Sequence, residues 1–227
     1  MAPLAPRFDV TAPAVPLADL GHVHLIAIGG AGMSAVARLL LARGVTVSGS
    51  DAADSPTLEV LRSLGARVHV GHDADHLTGV DTVVVSSAIR DDNLELAAAR
   101  TMGLRVLHRS QALASLMAGS RRVAVAGANG KTTTTSMLVV ALEAAGADPC
   151  FASGGEIAQL GTNAAIGSGD AFVVEAECEQ RERLARERVL ADAAILQHGG
   201  ELRHTGEVHL DVVREAVKSV FADSKSP

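Results

Sequence analysis

The chain has 227 residues, 48% of them apolar and 20% charged, with a formal net charge of −6. That is enough for one large or two modest domains with real cores. The acidic balance and the lack of a Lys/Arg run interleaved with aromatics argue against nucleic acid as the main partner, and no apolar run reaches the roughly 18 residues that a membrane-spanning helix needs. Trp and Tyr are absent and Phe occurs four times, so the cores must be packed with Ala, Val and Leu. A parallel sheet covered by helices suits that composition better than an all-β sandwich. Cys150 and Cys178 are too few and too isolated for a disulfide framework or a structural zinc site, and fit a reducing cytoplasm.

Residues 1–20 carry Pro3, Pro6, Pro13 and Pro16 without the pattern of a signal peptide, and read as a flexible tail. From there the pattern becomes regular. His22 to Ile28 predicts a buried strand, Gly29 to Gly32 a turn, and Met33 to Ala42 a helix that Gly44 stops. Val45 to Asp51 predicts a second strand with an acidic end, and a helix runs from Pro56 to Gly65. Strands at Arg67–Val70, Thr82–Ser86 and Leu104–Leu107 follow, with a helix from Leu94 to Met102 before the last of them and a connecting helix from Arg109 to Ala118 after it. Alternation at this interval implies a parallel, Rossmann-like sheet over residues 21–119.

A second unit, 120–227, opens with the strand that enters Gly127 and a helix from Thr132 to Ala145. Gly154-Gly155 and Gly161-Thr162-Asn163 read as loops, and Ala171 to Glu175 as a strand that delivers a carboxylate at its C-terminal end. Glu177 to Arg188 reads as a solvated, charge-laced helix, Asp192 to Leu196 as one more strand, and Glu207 to Ala222 as an amphipathic helix.

Two strand-to-helix turns carry chemistry. Ala27-Ile28-Gly29-Gly30-Ala31-Gly32 is a Gly-x-Gly-x-x-Gly fingerprint with its first glycine replaced by Ala27, and Asp51 ends the next strand. Such a turn brings backbone donors and a helix start to a pyrophosphate, whether of NAD or of a UDP-sugar, and it is also a common packing device. Gly127-Ala128-Asn129-Gly130-Lys131-Thr132-Thr133 is a short phosphate-loop form, with Val125 where the strict motif has its first glycine. Small residues there let N–H groups approach phosphate oxygens, Lys131 supplies positive charge, and the Thr132 hydroxyl can sit on Mg²⁺.

Taken in order, His24 to Ser34, Ser48-Gly49-Ser50-Asp51, Ser86-Ser87-Ala88-Ile89, Gly127 to Thr133 and Leu160-Gly161-Thr162-Asn163-Ala164 resemble the Mur ligases, most closely their alanine-adding branch, over residues 22–175. The resemblance implies an α/β chain in which a Rossmann-like parallel-sheet UDP-binding domain is followed by a truncated P-loop α/β ATPase domain. It implies ATP-driven joining of L-alanine to UDP-N-acetylmuramate through an acyl phosphate, for peptidoglycan precursor synthesis, with ATP and Mg²⁺ as cofactors. Gly29, Gly30, Ala31, Gly32, Met33 and Ser34 fall in the family's UDP-sugar loop, with Asp51 and Ser87 at strand ends facing the same nucleotide. Gly127, Ala128, Asn129, Gly130, Lys131, Thr132 and Thr133 fall in its ATP loop. Lys131 and Glu175 take catalytic positions, and Thr132 and Glu175 take the metal.

Departures begin after Glu175, where the family's Glu-Ala-Asp-Glu-Ser-Asp is Glu175-Ala176-Glu177-Cys178-Glu179-Gln180. His204 matches a metal-associated histidine of the family with a small alignment slip, and otherwise reads as a solvent-facing loop histidine. The family's C-terminal ligase domain has no counterpart in these residues, so the chain reads either as a fragment or as a shortened relative, with a separate chain as one source of the missing domain. A second reading is therefore a nucleotide- and UDP-sugar-binding module that does not ligate. A third, an NAD-dependent oxidoreductase, rests on the first loop alone and leaves Lys131 and its threonines unexplained.

Overall fold

The computed structural model describes residues 13–127, 129–176 and 194–198. The predicted helices over 177–188 and 207–222 lie outside them, as does His204. The chain divides into two compact units between Ala118 and Gly119.

In the first unit β1 (Val23–Ile26), β2 (Val47–Asp51), β3 (Arg67–Val70), β4 (Thr82–Val85) and β5 (Arg105–His108) form a five-stranded sheet in the order 3-2-1-4-5. Every pairing is parallel. The helices α1 (Ala31–Ala42), α2 (Pro56–Ser63), α3 (Leu94–Thr101) and α4 (Arg109–Leu116) connect or follow the strands. β1 and β4 are buried at all four positions, the mark of strands covered on both faces. One core cluster joins Ile26, Val83 and Val85 of the sheet to Leu96 and Ala99 of α3. Gly49 in mid-β2 is a close-approach glycine, since a Cβ there would lie 2.6 Å from Ile28 Cδ1 and 2.7 Å from the Leu25 carbonyl oxygen.

β1 stops at Ile26, short of the predicted Ile28, because Ala27 turns the chain with φ +60°. Its carbonyl accepts from Gly30 N at 3.2 Å, closing the turn. A left-handed alanine carries a steric cost of about 1–2 kcal/mol that glycine avoids, against about 0.4–1 kcal/mol of extra unfolded-chain entropy for glycine. Ala27→Gly is therefore expected to raise stability by about 0.5–1 kcal/mol in urea unfolding followed by circular dichroism. An unchanged or lower midpoint would show that the turn is unstrained.

The unpredicted feature of this unit is a buried polar network on Glu95, in the first turn of α3. Its side chain is fully buried. Oε2 accepts from Ser50 Oγ and lies 2.8 Å from His72 Nδ1, while Oε1 lies 2.8 Å from His76 Nδ1 and 3.5 Å from His24 Nε2. An ionised carboxylate only accepts, so His72 and His76 must both carry their protons on Nδ1. His24 Nδ1 meets Ser48 Oγ at 2.9 Å, and that hydroxyl meets His22 Nε2 at 2.8 Å. His69 stacks on His76 with ring centroids 4.0 Å apart. Burial first, then the neighbouring His76 and His24, holds the His69 imidazole below its ordinary range.

In the second unit β6 (Arg121–Gly127), β7 (Cys150–Ile157), β8 (Thr162–Ala165), β9 (Ala171–Ala176) and β10 (Ala194–His198) form a sheet in the order 10-6-9-7-8. β8 pairs antiparallel with β7 and the other pairings are parallel. The helix α5 (Lys131–Ala144) packs Leu138, Val139 and Leu142 against Val123, Val125, Phe151 and Val173. Gly154-Gly155 and Thr162-Asn163, predicted as loop, are strand residues. Two adjacent glycines read as a break, yet here they sit in an irregular stretch of β7, whose register with β8 shifts between Ala152 and Ile157. Among the described residues no helix is long and apolar enough to cross a membrane.

Candidate functional site

Of the five α-helices described, α2, α3 and α4 are capped by the side chains of Ser55, Asn93 and His108. The two that follow glycine loops are not. α1 starts from Gly30 and α5 from Gly130, and neither N-cap has a side chain to offer the first-turn amides. An amide-lined, electropositive helix start of this kind is suited to an anion.

In the first unit the chain leaves β1 for β2 and β3 on one side and returns to β4 and β5 on the other, and in open parallel sheets ligands bind beyond the C-terminal ends of the strands at such a reversal, here β1 and β4. The turn 27–30 and Ser87 sit at those ends. Asp51, at the end of β2, braces the turn: its Oδ2 accepts from Gly29 N at 2.9 Å and its Oδ1 from Ala52 N at 2.8 Å. A side chain at Gly29 would press on that carboxylate, with Cβ 2.8 Å from Oδ2, and one at Gly32 would collide with the Arg109 guanidinium. Gly30 and Ala31 are exposed on the turn. Met33 and Ser34 face inward, with 3% and 2% of their surface exposed, and Ser34 Oγ donates to the Ala31 carbonyl at 3.0 Å. Ser87 Oγ lies 3.1 Å from His108 Nε2, which ties the end of β4 to the start of α4. Arg109 opens the predicted connecting helix and His108 falls between that helix and the strand predicted to end at Leu107, so neither carries a motif of its own. Their place after a strand end was the available signal.

In the second unit Gly130 adopts φ +75°, with open space where a Cβ would be, and Lys131 opens α5. Asn129, Gly130, Thr132 and Thr133 are exposed, and Ala128 lies outside the described residues. Gly127 ends β6, whose Val125 pairs with Glu175 of β9. That register brings the Glu175 carboxylate to the helix start, where Oε2 accepts from Thr132 Oγ1 at 3.1 Å. Oε1 accepts from Ser153 Oγ at 3.0 Å and from Gly154 N at 2.7 Å. No group of three or more His, Cys, Asp or Glu suited to a metal occurs among the described residues. One hydroxyl and one carboxylate is instead a sparse, all-oxygen donor set, and that fits Mg²⁺, which takes most of its ligands from water and phosphate.

Two α/β units, each with a glycine turn between a central parallel strand and an uncapped helix, define the class of protein. The comparisons with known proteins narrow it. Residues 22–121 match the family described as Mur ligase family, catalytic domain, a stretch that ends before the second loop. A UDP-N-acetylmuramate–L-alanine ligase of a Nocardioides species is 62% identical over 171 residues, and one of Renibacterium salmoninarum is 60% identical over 163. These matches take in 75% and 72% of this chain but 38% and 35% of the relatives, so the chain spans little more than a third of their length. Among solved structures, the UDP-N-acetylmuramate:L-alanyl-γ-D-glutamyl-meso-diaminopimelate ligase of Neisseria meningitides superimposes with a TM-score of 0.70 at 26% identity, covering 89% of this chain and 68% of that one. The UDP-N-acetylmuramate–alanine ligase of Thermotoga maritima gives 0.63 at 28% identity, covering 89% and 47%. The chain is thus similar to the Mur ligase family over residues 22–121, and to UDP-N-acetylmuramate–L-alanine ligases over about three quarters of its length.

Proposed function

We propose that this chain carries the UDP-sugar and ATP sites of an alanine-adding Mur ligase, with residues 21–119 as the UDP-sugar domain and 120–227 as part of the ATPase domain. The observation that carries the reading is the Thr132–Glu175 contact at 3.1 Å, which puts a hydroxyl and a carboxylate side by side at the start of the helix that Lys131 opens. In the first unit the turn 27–32 faces the pyrophosphate, with Asp51 holding the turn in shape. In the second, the backbone around Gly130 cradles the phosphates, Lys131 balances charge on the outer phosphoryl group, and Thr132 and Glu175 hold Mg²⁺. The cation would supply charge neutralisation as the γ-phosphoryl group passes to the muramyl carboxylate. The resulting acyl phosphate is attacked by the uncharged amine of L-alanine, and inorganic phosphate leaves. ATP and a UDP-sugar as substrates place the reaction in the cytoplasm.

A second reading, a module that binds both nucleotides without ligating, is favoured by one observation. The run Glu175 to Gln180 keeps only its first carboxylate in the family pattern. Calorimetry with UDP-N-acetylmuramate, and phosphate release with ATP, Mg²⁺ and L-alanine, separate the two. The ligase reading expects UDP-sugar binding and alanine-dependent phosphate release. Binding without release supports the module, and absence of UDP-sugar binding sinks the assignment of the first loop.

A further inference from the structure

We propose that Ser153 is a positioning residue for Glu175, setting the plane of its carboxylate so that one oxygen is clamped to β7 and the other faces Thr132 and the cation that accompanies the nucleotide. The inference rests on the second unit being a Mg²⁺–ATP site. It begins with the path of β7. Cys150, Phe151 and Ala152 pair in parallel with Phe172, Val173 and Val174 of β9, and Ala152 is the last residue of β7 in that ladder. Past it the register of β7 becomes irregular, and Ser153 and Gly154 meet the side chain of Glu175, the next residue of β9.

Both donors converge on one oxygen. Ser153 Oγ and Gly154 N reach Oε1 at 3.0 and 2.7 Å, leaving Oε2 to Thr132 Oγ1 at 3.1 Å. The direction of the serine bond is settled by its other partner: Gly155 N donates to Ser153 Oγ at 3.4 Å, so the hydroxyl accepts from the backbone and gives its own proton to the carboxylate. Ser153 is only 2% exposed, so its hydroxyl is committed to this bond rather than to solvent. Gly154 completes the clamp sterically. A Cβ there would lie 2.7 Å from Glu175 Oε2, so only glycine lets the carboxylate approach β7 this closely. The terminal torsion of glutamate is broad, and without the serine a single backbone N–H would be left to hold Oε1 against β7. Partners that orient a ligating carboxylate in this way typically change metal affinity by about 10–100-fold when removed.

The test uses the full chain with ATP and Mn²⁺ as the probe cation, with Mn²⁺ binding read by electron paramagnetic resonance and ATP binding by calorimetry with and without the metal. Ser153→Ala is expected to weaken Mn²⁺-supported ATP binding roughly tenfold. ATP affinity in EDTA is expected to stay near wild type, which a merely structural role would not allow. Wild-type Mn²⁺ dependence in Ser153→Ala, or an equal loss in EDTA, overturns the positioning role while leaving the nucleotide site standing. Wild-type protein that binds no ATP with Mn²⁺ overturns both.

Discussion

Glu95→Ala is expected to destabilise the first unit by roughly 3–5 kcal/mol, because it strips a buried network of its only acceptor-only member. Ser50, His72 and His76 all direct hydrogen at the carboxylate, and His24 stands 3.5 Å away. Truncation leaves these polar groups facing a void, in a domain whose whole stability is of order 5–15 kcal/mol. The same network makes a pH prediction. Burial by itself would raise the Glu95 pKa, but the facing His24 imidazole and the hydrogen bonds from Ser50 and His76 outweigh it and bring it down from 4.5 to about 2. A carboxylate with a depressed pKa in the folded state contributes stability that is complete above its unfolded value and is lost as pH falls through the folded one. The wild-type chain should therefore lose on the order of 3 kcal/mol between about pH 4.5 and pH 2 through this residue. In Glu95→Gln that segment of the profile should flatten. Urea unfolding at stepped pH, followed by circular dichroism because the chain has no Trp or Tyr, measures both. Equal acid sensitivity in wild type and Glu95→Gln would mean that the network is not ionised as drawn.

What could be read in the sequence follows from how local each signal is. β3 was predicted at its observed limits, Arg67–Val70, because Gly65 and Gly71 bracket it. The helix of the second loop was predicted one residue late, since Lys131 looked like a loop residue and is the first residue of α5. Glu175 stands out in the sequence as a candidate because a carboxylate at the end of a buried strand has few structural reasons to be there. Its partners do not. Ser153 is one serine among many until the irregular register of β7 aims it, and Gly154-Gly155 gave the signal of a break in a strand that continues. The Glu95 network was invisible for a different reason. Its members come from β1, β2, α3 and the segment after β3, spread over residues 24–95 with no repeating interval, so only the order 3-2-1-4-5 of the sheet brings them together.

Lys131→Ala is expected to weaken ATP binding by on the order of 100-fold, whether or not a divalent cation is present. A charge-assisted hydrogen bond to phosphate contributes about 1.5–3 kcal/mol, or roughly 10–150-fold in affinity, and the upper part of that range applies where the lysine opens a helix with no capping side chain. Glu175→Gln should behave differently. Its amide keeps the shape of the carboxylate but not the charge, so the cation-dependent part of ATP binding should fall by tenfold or more while binding in EDTA stays the same or tightens slightly, since a negative charge near the phosphates has gone. The two variants thus divide the site into a part that recognises phosphate and a part that recognises the cation. Ser153→Ala should follow Glu175→Gln in kind and fall short of it in size, because the serine acts only through the carboxylate that it orients. Titrations of ATP with and without Mg²⁺ measure all three. If Lys131→Ala lost affinity only in the presence of Mg²⁺, the lysine would be acting through the cation site, and the phosphates would have to lie elsewhere than at the start of α5.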